Sequence, residues 1–401
     1  MFKKTLAAAA ILGAFAGSAF AADVTLYGKV DYGFGFTNTS VDGQDDVNSF
    51  QLKSGQNSGS RFGLKGTEDL GNGMKVGFSL ENGFAADDGT IDNNGRLFGR
   101  EALLYVQGAF GEVSFGRAGQ LMSGNGRYGM WTSNVNALGT GWGDVMGLPQ
   151  VSNAKAYQRF DNLITYQTPS FAGFTVTVQY SMKNDSTNDQ NTGVANDQNT
   201  GVANDAGDEN KANVDRYYGI GAQYKNGPFQ AVAIVDSINY DSSKKAVFTE
   251  KRYEDDSLNV ALGGSYDFGV VKAYLAGTYS ENATGWGKLK NLTFTGKAAT
   301  GTAYAATVDG YGVMASVDVP AFGGTAKFGV GYGEAEQSKV ASGVDKPEFK
   351  TYTVGAGYTY NLSKRTMLYT AADYVKADYN KAAGDKDADA YSVIAGMVHS
   401  F

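Results

Sequence analysis

The chain has 401 residues with 34 Lys and Arg against 41 Asp and Glu, a formal net charge of −7, no cysteine and a single histidine. That balance excludes a nucleic-acid face, which needs a basic surplus. The missing thiols leave an exported chain no disulfide framework, so it needs a large fold with a fully paired backbone. With 25 Tyr, 23 Phe and 55 Gly against 5 Pro, the composition favours strands.

The chain opens with Lys3 and Lys4, an apolar run from Leu6 to Phe15, and Ala19-Phe20-Ala21 before Ala22. This is the layout of a secretory signal peptide, with cleavage expected after Ala21 and a mature domain over 22–401. The apolar run is too short for a membrane helix, and no later stretch is long enough either. Any membrane crossing must then use strands, and strands cross lipid only as a closed barrel, because an open edge would leave backbone groups unsatisfied.

From Val24 the residues alternate. Val24, Leu26, Gly28, Val30, Tyr32, Phe34 and Phe36 share one face, with Thr25, Tyr27, Lys29 and Asp31 on the other. A polar loop is expected over Asn38 to Asn57, followed by a strand from Arg61 and a tight turn over Glu68 to Gly73 into a strand from Met74. The rhythm continues with short and long connections in alternation. Short ones fall near Ala109–Glu112, Pro169–Gly173, Asn226–Pro228, Asp267–Gly269, Pro320–Gly324 and Asn361–Lys364. Long polar ones fall near Ala85–Gly95, Ala118–Tyr157, Lys183–Asn213, Asp241–Asp256, Glu281–Val308, Glu334–Glu348 and Ala377–Asp389. Fifteen connections imply sixteen strands, all-β, in a transmembrane antiparallel barrel with short turns at one rim and long loops at the other.

Two long connections stand out. Ala118–Tyr157 carries eight glycines, Trp131, Trp142, Asp144 and Pro149, and a loop of that length is expected to be functional, here by folding into the bore. Lys183–Asn213 contains an octapeptide, Asn188 to Ala195, copied at Asn196 to Ala203. Two copies cannot stack into a solenoid, so an exposed insertion is expected, with calcium binding an open alternative.

The last strand alternates through Tyr391, Val393, Ala395, Met397, His399 and Phe401. With Leu26-Tyr27-Gly28-Lys29, Ser60 to Gly71, Phe115-Gly116-Arg117 and Arg159-Phe160-Asp161-Asn162, it makes the chain resemble the general Gram-negative porins, trimeric sixteen-stranded outer-membrane barrels. The resemblance implies passive diffusion of small hydrophilic solutes and ions, a homotrimer in outer-membrane lipid, and Phe401 as a signal to the barrel assembly machinery. It also implies that Ala118–Tyr157 forms the pore constriction opposite a basic cluster of Lys29, Arg61, Arg100 and Arg159. On the loop side Asp144 is the sole acid between Glu112 and Asp161, which departs from the family pattern and points to an anion lean. A sugar-selective porin, favoured by Trp131 and Trp142, and an adhesin or structural barrel remain alternatives.

An enzyme is not expected, and no cofactor or metal site is called for. His399 sits on the closing strand and is too isolated for a catalytic triad or a zinc site. Gly124-Asn125-Gly126-Arg127-Tyr128-Gly129 spells a dinucleotide-type motif without the βαβ context that would give it meaning.

Overall fold

The computed structural model describes residues 24–124, 126–139, 142, 159–182, 215–240, 255–283, 286–289, 292–294, 307–340, 343 and 345–401. The expected signal peptide, Asp144 and the octapeptide repeats lie outside the described residues.

The strands are β1 (Thr25–Val41), β2 (Val47–Ser54), β3 (Arg61–Gly71), β4 (Met74–Gly83), β5 (Glu101–Gly108), β6 (Gly111–Gly119), β7 (Arg159–Gln167), β8 (Phe174–Ser181), β9 (Arg216–Asn226) and β10 (Phe229–Asn239). They continue with β11 (Ser257–Asp267), β12 (Lys272–Ala283), β13 (Trp286–Leu289), β14 (Leu292–Phe294), β15 (Val308–Ala321), β16 (Gly324–Gln337), β17 (Glu348–Asn361), β18 (Thr366–Tyr379) and β19 (Asp387–Ser400). Strands β13 and β14 form a separate hairpin, and the other seventeen make one sheet. Within it β2 and β3 share one position along β1, the former beside Tyr32 to Thr39 and the latter beside Thr25 to Lys29. The sheet therefore has sixteen staves, and β19 pairs antiparallel with β1 from Lys29↔Ser400 to Val41↔Ala388 to close it.

Closure removes the sheet edge, which is the condition for strands in lipid. The outward positions are those expected for a lipid belt: Leu262, Leu275, Val313, Val330 and Val354 are all exposed on the face opposite the buried ones. Tight turns rely on residues that tolerate positive φ. Gly71, Asn72 and Gly73 have φ of 77°, 52° and 75°, which lets β3 reverse into β4 where the sequence places its turn.

One expected loop is mostly strand. The sequence predicts a polar connection over Asn38 to Asn57, yet β1 continues to Val41 and β2 resumes at Val47, with Asp42 to Asp46 as the tip between them. The outward alternation survives in Phe50 and Leu52, and Phe50 stacks on Phe34 at 5.8 Å between ring centroids. Only two apolar residues mark that face, so composition masks the period. The loops expected over Glu334–Glu348 and Ala377–Asp389 are shortened in the same way, because β16 runs to Gln337, β18 to Tyr379, and β19 starts at Asp387.

The C-terminal residue completes the last ladder. The Phe401 backbone N–H donates to Gly28 O and the Gly28 N–H to Phe401 O, each at 3.1 Å. A Cβ on Gly28 would lie 2.3 Å from Cζ of Phe401, so the glycine leaves room for that ring.

Candidate functional site

The four cations singled out by sequence converge on the inward side of β1 and β3 to β7. Their placement follows interruptions in the backbone. Between β2 and β3 the segment Gly55 to Ser60 leaves the ladder and lies across the inward face of β1. A Cβ on Gly33 or Gly35 would meet the Gln56 amide at 2.4 and 2.6 Å. The Asp31 carboxylate anchors this segment, accepting from the backbone N–H groups of Asn57 (2.7 Å) and Ser58 (2.6 Å) and from the Tyr369 hydroxyl (2.6 Å). Asp31 is fully buried, and these donors satisfy a charge that would otherwise be costly there.

Arg61 follows that segment directly. Its Nε donates to Gly59 O at 2.8 Å and its Nη2 to Ser58 Oγ at 2.9 Å. Nη1 of Arg61 lies 3.9 Å from Glu81 Oε1, the same oxygen that Arg100 Nε reaches at 2.6 Å. The Arg100 stem crosses Gly83, where a Cβ would meet Cδ of Arg100 at 2.9 Å. Two guanidinium groups thus share one carboxylate.

A second shared carboxylate sits beside it. The β6–β7 register slips between Gly116 and Ala118, where Gly116 has a φ of 129° and a Cβ would come within 2.0 Å of Ala102 O. This bulge turns Arg117 onto Asp161, with Nη1 to Oδ1 at 2.6 Å, and Arg96 reaches the same oxygen at 2.6 Å. Nη1 of Arg117 also donates to Arg159 O at 3.2 Å. Arg159 meets Asn93 Oδ1 at 3.5 Å, and among the described residues neither it nor Lys29 has a carboxylate at ion-pair distance. In the β4–β5 connection, burial pushes the Asp92 carboxyl above the usual carboxylate range, although Arg100 and Arg159 pull it down.

Lys29, Arg61, Arg100 and Arg159, the four cations named from sequence, are therefore on one arc. Sequence reasoning missed Arg96 as a member, treated Arg117 only as part of a motif, and assigned no role to Glu81 or Asp31. Asp161, which enters the sequence reading only within a motif, is clamped between Arg96 and Arg117. The fifth pore residue named, Asp144, falls outside the described residues.

The described part of Ala118–Tyr157 makes a separate set of contacts. Leu121, Val135, Leu138 and Trp142 are buried in one cluster with wall residues including Phe160, Ile234 and Tyr369. A Cβ on Gly221 of β9 would meet Met130 Sδ at 2.7 Å, one on Gly263 of β11 would meet Val135 at 2.9 Å, and one on Gly357 of β17 would meet Leu138 at 3.0 Å. The Ala137 N–H donates to Ser316 Oγ at 2.9 Å, and Trp142 meets Tyr369 edge-on at 6.0 Å. At its start, Arg127 pairs with both oxygens of Glu112 (2.6 and 2.5 Å) over the Tyr105 ring at 3.7 Å. Burial would lower the Arg127 pKa, but the Glu112 carboxylate outweighs it and raises the value. Burial and Glu112, which accepts the Tyr128 hydroxyl at 2.6 Å, push that phenol up as well.

With this geometry in hand, comparisons with known proteins are specific. A family model described as Gram-negative porin matches residues 7–381. An outer membrane porin of Bordetella pertussis is 32% identical over the full length of both chains. Outer membrane porin protein 32 of Delftia acidovorans is 31% identical over 99% of this chain and 95% of its own length. Among solved structures, an anion-selective porin from Comamonas acidovorans superimposes with a TM-score of 0.61 at 26% identity, covering 95% of this chain and all of the other.

Proposed function

We propose that this chain, which belongs to the Gram-negative porin family, sets its permeability between the basic arc on the barrel wall and the segment Ala118–Tyr157. The protein is an outer-membrane porin, a channel for passive diffusion of small hydrophilic solutes and ions, and its relatives are named as porins rather than enzymes. The finer reading concerns how the bore is narrowed and which charge it favours.

The described loop residues touch wall glycines of β9, β11 and β17 that lie on the same side as the basic arc, opposite the exposed apolar belt. Those contacts support a loop held inside the bore, leaving the passage between it and the arc. In such a constriction fields are focused and weakly screened, so fixed charge there counts most. The observation that carries the anion reading is the sharing of Glu81 by Arg61 and Arg100 and of Asp161 by Arg96 and Arg117, with Lys29 and Arg159 at ion-pair distance from no carboxylate among the described residues. The named selectivity of the Comamonas porin agrees in sign. Acidic outer loops (Asp42, Asp45, Asp46, Asp87, Asp88, Asp255 and Asp256) would draw cations to the mouth, but beyond about 8 to 10 Å they are screened at physiological salt. The anion preference is therefore expected to weaken as salt is lowered.

A homotrimer in outer-membrane lipid, with Phe401 presented to the assembly machinery, completes the reading and rests on the family resemblance. Purified protein in planar bilayers should give ohmic steps. Absence of conductance would favour an adhesin or structural barrel, and saturable sugar block would favour the sugar-selective alternative.

A further inference from the structure

A cavity at the short-turn rim adjoins the arc just described, sharing Lys29 with it. It measures about 240 Å³ and is lined by Lys29, Lys364, Arg365, Asn361, Ser363 and Ser400, with Asn57 and Ser58 on the barrel side. Three of those side chains are cationic. Among the described residues none of the three has a carboxylate at ion-pair distance, whereas Lys327, near the short-turn end of β16, is paired with Asp318 at 2.7 Å. The turn carrying Lys364 and Arg365 is held in place: the Arg365 and Thr366 N–H groups donate to Ser363 Oγ at 3.1 and 3.0 Å, and the Ser400 N–H donates to Arg365 O at 2.8 Å. The fixed turn brings two cations and hydroxyl or amide donors to the same space as Lys29, which also borders the basic arc.

We propose that this cavity is an anion subsite at the inner mouth of the channel, taking small oxyanions that carry two negative charges, with inorganic phosphate as the representative. The site rests on the diffusion-channel reading and adds to it a resting place beyond the constriction, shared through Lys29. A doubly charged oxyanion engages the two rim cations and Lys29 together and accepts from Ser363, Ser400 or Asn361. Chloride, with one charge and no geometry, gains little from the arrangement. Short turns mark the periplasmic rim in barrels of this type, so the subsite faces the periplasm.

The test is phosphate block of chloride current through single channels in planar bilayers, with phosphate added to each chamber in turn. The wild-type channel is expected to show saturable block that is stronger from one side. The K364Q/R365Q double variant should raise the half-blocking concentration about tenfold and abolish the asymmetry, since two rim charges at the cost of exposed ion pairs multiply to roughly that factor. Its chloride conductance without phosphate should match wild type, because neither residue belongs to the constriction. If the double variant does not fold, K364Q alone should show a smaller shift in the same direction. Block that is equal from both sides, or unchanged in the variants, overturns the subsite while leaving the channel intact. Absence of chloride current altogether would instead strike at the channel reading.

Discussion

Two arcs of the same cylinder handle charge in opposite ways. From β15 to β19 every register is unbroken, and cations stand across from carboxylates on the ladder: Lys327 opposite Asp318 and Lys350 opposite Glu334. From β2 to β7 the backbone breaks at Gly55–Ser60, leaves the ladder for the β4–β5 connection, and bulges at Gly116–Ala118. Arg61, Arg96, Arg100 and Arg117 lie at or beside those breaks, the first and third sharing Glu81 and the other two sharing Asp161. A regular ladder places opposite charges side by side and cancels them. Interruptions re-aim side chains, and here they gather like charge in one place.

The largest effect is expected where an interruption depends on a glycine. Gly116→Val puts a side chain on the Ala102 carbonyl at a φ that a β-branched residue rarely adopts. Strain on the order of 1–3 kcal/mol, together with a displaced ladder, should remove most of the folded, heat-modifiable species on a gel. Gly277→Ala on β12, with nothing nearer than 3.6 Å to its Cβ, should fold as wild type. Equal yields of the two variants would mean that the bulge is dispensable.

Next comes Asp31→Asn. The amide loses the charge that draws the Asn57 and Ser58 N–H groups, costing about 1.5–3 kcal/mol for charge-assisted bonds. Gly55–Ser60 should loosen and release Arg61 from Ser58 and Gly59, lowering thermal stability and anion preference together. Loss of stability with unchanged selectivity would separate the segment from permeation.

A smaller change is expected from Arg127→Ala, which removes the paired contact to Glu112 near the start of Ala118–Tyr157. Open-channel current noise should rise, with mean conductance within about twofold, since removing one clasp leaves the apolar contacts at Leu121, Val135 and Leu138 intact. Quiet channels would show that those contacts alone hold the segment. The smallest effect is reserved for the regular arc: Lys350→Gln breaks an exposed, solvent-screened pair and should leave selectivity unchanged. A shift comparable to that of Asp31→Asn would erase the distinction between the arcs.

This contrast also explains what sequence could reveal. Strand alternation, short turns such as Asn72-Gly73, and the sixteen staves are local signals, repeated many times over, and they were legible. The membership of Lys29, Arg61, Arg100 and Arg159 in one cluster came through family resemblance. What escaped depends on distant partners: Arg117 and Arg96 meet Asp161 across 44 and 65 positions, and Tyr369 meets Asp31 across 338. The Gly55–Ser60 break was hidden because a glycine- and serine-rich stretch reads as loop, and β2 carries too few apolar residues to advertise its period.

The interrupted arc is proposed to set the sign of ion selectivity. Reversal potentials across a salt gradient test it directly, on wild-type protein and on the Arg61→Ala, Arg100→Ala double variant. An anion-selective potential at high salt that moves toward zero in the variant is expected, while a cation-selective wild type, or a variant with the wild-type potential, would contradict a selectivity set by the arc.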